Sequence, residues 1–188
     1  MRGNFRLLSS LIISVAVCVL ASSSNDALGD PADKLIWKRY TIGRSVANVE
    51  LPSKPSQIDL PLSAEVKNAY SHLETYQMIH GTFVVHMSYG VLRGNSVNLD
   101  AAAEGALNQL LANCDEKNSK YSAWKGKIQG REARYFGGYA RFQGQHLGFY
   151  ACALSEGGKF WQVICTYMPT QDNERFAKKT INSIKFAK

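Results

Sequence analysis

The chain has 188 residues, of which 45% are hydrophobic, 20% charged and 11% aromatic, a balance that excludes disordered, collagen-like and multi-span membrane chains and fits one globular domain. Lys and Arg number 22 against 15 Asp and Glu, and the net charge of +7 admits acidic partners while falling far short of a nucleic-acid-binding tail. Specific nucleic-acid recognition is therefore not expected.

Met1 to Arg6 carries Arg2 and Arg6 and no acid, Leu7 to Leu20 is an uncharged apolar run, and Ala21 to Ser24 are small. This order reads as an export signal over residues 1–21, cut after Ala21. The apolar run is shorter than the roughly 20 residues that span a bilayer, so no transmembrane helix is expected after cleavage and the product is periplasmic or secreted. Val17 precedes Cys18 where a lipidated cysteine normally follows a small residue, and the absence of any Asn-x-Ser/Thr sequon leans toward a bacterial periplasm. Residues 22–34, polar and small, read as a flexible leader, and residues 35–188 as a single domain.

Leu35 to Ile42 and Ser45 to Leu51 read as strands, stopped by Pro52 and Pro55, with irregular connection to about Pro61. Ser71 to His80 and Thr82 to Val91 form the next pair around Gly81; in the second, Phe83, Val85, Met87 and Tyr89 alternate with Thr82, Val84, His86 and Ser88. An amphipathic helix follows, capped by Asn98, with Asp100 in its first turn and Leu99, Ala103, Ala106, Leu107, Leu110, Leu111 and Cys114 along one stripe. Tyr121 to Ile128, Arg131 to Phe142, His146 to Leu154 and Lys159 to Thr166 are four more strands, joined at Gln129-Gly130, Gly144-Gln145 and Gly157-Gly158. Connections this short join only antiparallel neighbours. Asp172 to about Ile181 reads as a second helix, with Phe176, Thr180 and Ile181 on one side.

The late strands are apolar on both faces: Tyr150, Cys152, Leu154, Trp161, Val163 and Cys165 on one, Phe149, Ala151, Ala153, Phe160 and Ile164 on the other. A sheet wet on one side would alternate with polar residues, so the expected fold class is α+β, an antiparallel sheet with helices on both faces in a three-layer α/β/α sandwich.

Once the signal is removed, Cys114, Cys152 and Cys165 remain, an odd number that in an oxidising compartment implies one disulfide and one unpaired thiol. Cys152 and Cys165 share a face across the Gly157-Gly158 turn. With a two-residue turn Cys152 lies opposite Val163 and the two thiols are diagonal, about 7 to 8 Å apart; a slightly different loop puts them directly opposite. A Cys152–Cys165 bridge is the expectation, set against three small buried hydrophobes.

Val49-Glu50-Leu51-Pro52-Ser53-Lys54-Pro55, Gln129-Gly130-Arg131-Glu132, Phe160-Trp161-Gln162-Val163 and the ending Asn182-Ser183-Ile184-Lys185-Phe186 resemble the PsbP-like and DcrB-like proteins of one superfamily, from about Leu35 onward. Trp161 departs from the usual tyrosine. The resemblance implies an antiparallel sheet between helices and an accessory, binding or chaperone-like protein; it transfers no catalytic residue.

Reactive constellations are thin. His72, His80, His86 and His146 have no chelating spacing, no Cys-x-x-Cys pair or HExxH occurs, no Gly-x-Ser-x-Gly elbow is present, and Asp115, Glu116, Glu132 and Glu156 fall at element ends and turns. No cofactor, metal or enzymatic activity is expected. From Lys117 to Phe142 base and aromatic interleave, and the candidate binding residues are Lys125, Lys127, Arg131, Arg134, Tyr135, Tyr139 and Arg141. The expected function is an exported binding or accessory protein whose partner is another envelope or secreted protein, or else an anionic surface or glycan. The alternative is a small-ligand carrier or hydrolase with a pocket between sheet and helix.

Overall fold

The computed structural model describes residues 35–60, 63–94, 96–112 and 114–187. The export signal and leader lie outside them. Among the described residues two antiparallel sheets hold ten strands: β1 (Lys38–Thr41), β2 (Ala47–Leu51) and β10 (Lys185–Phe186) form the smaller, in the order β1-β2-β10. The larger has the order β3-β4-β5-β9-β8-β7-β6, built from β3 (Ser56–Ile58), β4 (Tyr70–His80), β5 (Phe83–Leu92), β6 (Cys114–Ile128), β7 (Arg131–Phe142), β8 (Gln145–Glu156) and β9 (Lys159–Tyr167). Among the described residues the helices are α1 (Ala64–Ala69), α2 (Leu99–Leu111) and α3 (Gln171–Asn182). The chain is thus an α+β protein dominated by antiparallel sheet.

Local chemistry accounts for most boundaries. The Asn98 side chain accepts the Ala101 N–H at 3.0 Å and the Thr170 hydroxyl accepts the Asn173 N–H at 3.2 Å, satisfying amides that open α2 and α3. Positive φ at Gln129 and Gly130, Gln143 and Gly144, and Gly157 and Gly158 marks three two-residue turns of the kind that match strand twist. The second turn falls one residue earlier than Gly144-Gln145. Because α2 carries the chain from β5 past β9, β8 and β7, the strand that follows it lands at the far edge, and the three tight turns bring β7, β8 and β9 back beside β5.

The alternation along β8 and β9 is realised in two cores. Cys152, Leu154, Trp161, Val163 and Cys165 cluster with Ala177 and Ile181 of α3, Ala47, Val49 and Leu51 of β2, and Phe186 of β10. Phe136, Phe149, Ala151 and Ile164 cluster with Ala106, Leu107 and Leu110 of α2 and Val66 of α1, and Ala153 and Phe160 pack with Leu99 and Ala102. Burying a side chain of this size contributes about 1.5 to 3 kcal/mol, so the two cores rather than propensity hold the strands together.

Three expectations need correction. The Cys152–Cys165 bridge is not formed: Cys114, Cys152 and Cys165 are all free. The two-residue turn fixes Val163 opposite Cys152 and Tyr150 opposite Cys165, leaving the thiols diagonal, and burial pushes Cys152 up to about 12 and Cys165 up as well, so both stay protonated. Cys114 is not on α2, which ends at Leu111; it opens β6, with its thiol donating to the Leu110 carbonyl at 3.4 Å. Finally β3, too short for a periodic signal, stands where irregular connection was expected, and α1 lies between Pro61 and Ser71, where no element was assigned.

His86 sits in the middle of β5, almost fully buried, with Nε2 3.2 Å from the Gln77 amide nitrogen. Burial lowers its pKa to about 4, whereas the unfolded chain takes up the proton near the ordinary 6.5. Acid therefore favours unfolding: stability is complete above about pH 6.5 and falls as the pH drops toward 4, by on the order of 3 kcal/mol from this group. Urea midpoints at pH 7 and pH 4.5 should differ more in the native chain than in His86→Gln; equal differences would contradict the assignment.

Candidate binding surface on the β6–β7 hairpin

β6 and β7 pair from Ile128↔Arg131 back to Lys120↔Tyr139, with an irregularity between Asp115 and Lys120. Side-chain parity divides the seven expected binding residues between two faces. Arg131, Tyr135, Tyr139 and Arg141 point to the α3 side, and Lys125, Lys127 and Arg134 to the α2 side. They do not form one basic patch.

Several are already engaged. The Arg131 guanidinium lies 4.1 Å over the Phe186 ring, with Nε 3.0 Å from Glu156 Oε2, so it clamps β10 onto the sheet. Gln129 adds to that clamp by accepting the Phe186 N–H at 2.6 Å. Arg134, only 14% exposed, is paired with Asp100 at the start of α2, and Lys125 Nζ reaches the same carboxylate at 3.4 Å. The hydrogen bond from Arg134 holds Asp100 below the usual carboxylate range and raises Arg134 in turn. Arg141 Nε donates to the Gly144 carbonyl at 3.2 Å. Lys127, like Lys120 and Lys117 on the same strand, makes no ion pair with any described residue.

What remains open is aromatic. Trp124 faces Tyr135 directly, ring planes 8° apart and centroids 5.6 Å apart, and also lies 5.7 Å from Tyr150. The side chains step down the sheet: Tyr167 of β9 crosses Gly148 of β8, Tyr150 of β8 crosses Gly137 of β7, and Tyr135 of β7 crosses Gly126 of β6. A Cβ on Gly137 would come within 2.7 Å of the Tyr150 ring, so only glycine admits this approach. The glycines recur every eleven residues in sequence, a signal that was available but has no meaning until the hairpins are aligned. Trp124 is 40% and Tyr139 39% exposed, because α3 packs on β8 and β9 and the small sheet reaches β7 only at its Arg131 end. The Tyr139 hydroxyl donates to Glu174 Oε2 at 2.9 Å, and Glu174 accepts from Lys178 at 2.6 Å, bordering the aromatic strip with α3 charges. Burial pushes Tyr135 up to about 12 and raises Tyr150, so these phenols act as neutral donors, not bases.

A concavity of about 200 Å³ lies between α2 and the hairpin, floored by Ala103, Leu107, Ala123 and Phe136 and rimmed by Asp100 and Arg134. Pockets for drug-sized ligands run from about 300 to 1,000 Å³, so this one admits only a small apolar group.

A second polar cluster went unread in the sequence. Glu74, its side chain 7% exposed, accepts the Arg44 backbone N–H at 2.8 Å and lies 3.2 Å from Arg44 Nε and 3.0 Å from His72 Nε2, with the Tyr76 hydroxyl at 3.4 Å. Arg44 belongs to the β1–β2 loop, thirty residues away in the chain, and no local spacing announces it. The cluster ties the small sheet to the large one. No group of three or more His, Cys, Asp or Glu able to hold a metal ion occurs among the described residues.

The strand order and helix positions define a PsbP-like α+β fold. The chain is similar to cyanobacterial PsbP (CyanoP) from Synechocystis, at 8% identity over 86% of this chain and 98% of that one, with a TM-score of 0.53. The likeness is therefore one of fold. It is also matched, at TM-scores of 0.40 and 0.36, by LpqN, involved in cell envelope biogenesis of Mycobacterium tuberculosis (14% identity, 79% of this chain, 86% of that one), and by PA94, a protein of unknown function from Pseudomonas aeruginosa (13%, 71% and 83%). No protein-family model and no curated protein matches the sequence.

Replacing Glu74 by Ala leaves the Arg44 amide without its acceptor and the Arg44 guanidinium without its carboxylate, and we expect a loss of about 2 to 3 kcal/mol in urea unfolding, with a smaller loss for Glu74→Gln. An unchanged midpoint would contradict the tie between the sheets.

Proposed function

We propose that this chain is an exported accessory protein, periplasmic or secreted, that acts by binding an envelope or secreted protein and performs no chemistry of its own. In this reading residues 35–188 form one three-layer α/β/α domain behind a cleaved signal, and the β6–β7 end of the sheet is its working surface. The observation that carries it is the aromatic strip in which exposed Trp124 and Tyr139 lie on either side of half-buried Tyr135, at the end of the face that α3 leaves uncovered. Exposed aromatics beside polar rims are typical of recognition surfaces. The PsbP-like fold supports an accessory role, and no helix among the described residues is long and apolar enough to cross a membrane.

An anionic surface or glycan is the weaker version, since Arg131, Arg134 and Lys125 already hold carboxylates. The carrier alternative has the α2 concavity in its favour and that cavity's small volume against it.

A photo-crosslinking side chain at position 124, in the native host, should give a discrete protein adduct that Tyr139→Ala diminishes, while one at position 79, on the far side of the sheet, gives none. Adducts independent of position would overturn the assignment. The polyanion version requires retention on heparin at about 50 mM salt and release at moderate salt, and flow-through at low salt removes it.

A further inference from the structure

The backbone of β6 carries more than its side chains do. Ile128 and Arg131 flank a two-residue turn, which makes them a hydrogen-bonded pair, and bonding then alternates along the ladder. Ser122, Trp124, Gly126 and Ile128 spend their amides and carbonyls on β7. Tyr121, Ala123, Lys125 and Lys127 direct theirs outward, to the free side of the strand that ends the sheet. The outward stretch from Tyr121 to Lys127 is on the order of 20 Å long at strand rise. The opposite edge, β3, has only three residues.

Among the described residues this edge is unpaired, and an edge of this length is a template for another strand unless something blunts it. Along the outward stretch the blunting is one-signed, with Lys120, Lys125 and Lys127, while the acids of β6, Asp115 and Glu116, lie at its start; among the described residues only Lys125 of these three has a carboxylate, that of Asp100. A second β6 laid against this one would set lysines against lysines, so the charge disfavours a second copy. An acidic strand meets no such cost and gains charge-assisted contacts instead. Trp124 and Lys120 flank the edge on the α3 side, Tyr121 and Lys127 on the α2 side, so both faces of an incoming strand find a ring and a cation.

We propose that β6 seats an extended acidic segment of a partner protein, which adds as an eighth strand along Tyr121–Lys127, with its carboxylates on Lys120 and Lys127 and an apolar side chain on Trp124. This rests on the reading of the β6–β7 end as the working surface and specifies how that surface is used. It also separates strand addition from polyanion binding, because only the former uses the outward amides.

The test uses the full chain and a probe peptide of about ten residues of glutamate and valine, with two glutamates seven residues apart and a valine three residues from one and four from the other, so that in the extended strand they fall opposite Lys127, Trp124 and Lys120, with heparin in parallel. Ala123→Pro deletes an outward N–H and spares the β7 ladder, a position where an edge strand tolerates proline. The expected result is peptide binding that falls about tenfold in Ala123→Pro while any heparin retention is unchanged, and that falls in Lys120→Glu/Lys127→Glu. Should Ala123→Pro fail to fold, the same peptide N-methylated at alternate residues takes its place against the native chain, and it should bind about tenfold more weakly. Equal binding of either altered partner, heparin binding without peptide binding, or self-association that Ala123→Pro abolishes would each overturn strand addition. Position-specific crosslinks from 124 would survive those failures, whereas their absence removes the surface itself.

Discussion

In β5, β9 and β8 nearly every side chain has a core to enter, because the sheet that holds them is buried on both faces. That burial decides what the interior can do. The groups that carry chemistry elsewhere are held there in inert forms: His86 neutral, Cys152 and Cys165 protonated, Trp161 wedged at 5.0 Å against Phe186. Polar atoms such as those of Thr75 and Ser88 bond one another, 3.3 Å apart. These groups serve the packing of the interior, and the open surface begins where the covering stops.

Topology determines where that is. The helix α2 transports the chain across the sheet, so the strand after it takes the outermost place, and α3 packs on β8 and β9 while the small sheet reaches β7 only at its Arg131 end. The outer two strands keep one face packed against α2 and leave the other with Trp124 and Tyr139 in view of solvent and Tyr135 half-buried between them. Tyrosines lying across glycines of the next strand continue the packing of the core into this margin, which makes the exposed rings an ordered surface rather than loose side chains. The Glu74 cluster and the Arg131–Phe186 clamp serve the same scaffold from the other sheet, fixing the small sheet at its loop and at its last strand.

Much of this was legible in the residues. Period-two alternation placed β4, β5, β8 and β9, the glycine turns fixed their antiparallel order, and the two apolar faces of the Tyr150–Cys165 hairpin foretold two cores. The PsbP-like resemblance agrees with the fold. The site was less legible for a physical reason: Arg134 and Lys125 read as a basic patch because Asp100, their counter-charge, is 34 residues from one and 25 from the other. Adjacent on one strand, Arg134 and Tyr135 must face opposite sides, but which bases are spent and which free depends on partners brought by α2 and β10. The cysteines illustrate the opposite limit, since the turn geometry that was read correctly is what keeps the thiols diagonal.

Amide hydrogen exchange read residue by residue tests the central claim that a doubly covered sheet ends in one open strand. Amides of β5, β8 and β9 should be the slowest, exchanging only on global unfolding, while along β6 Ser122, Trp124 and Gly126 are protected and Tyr121, Ala123, Lys125 and Lys127 exchange freely. Uniform protection along β6, or rapid exchange in β8 and β9, would contradict it.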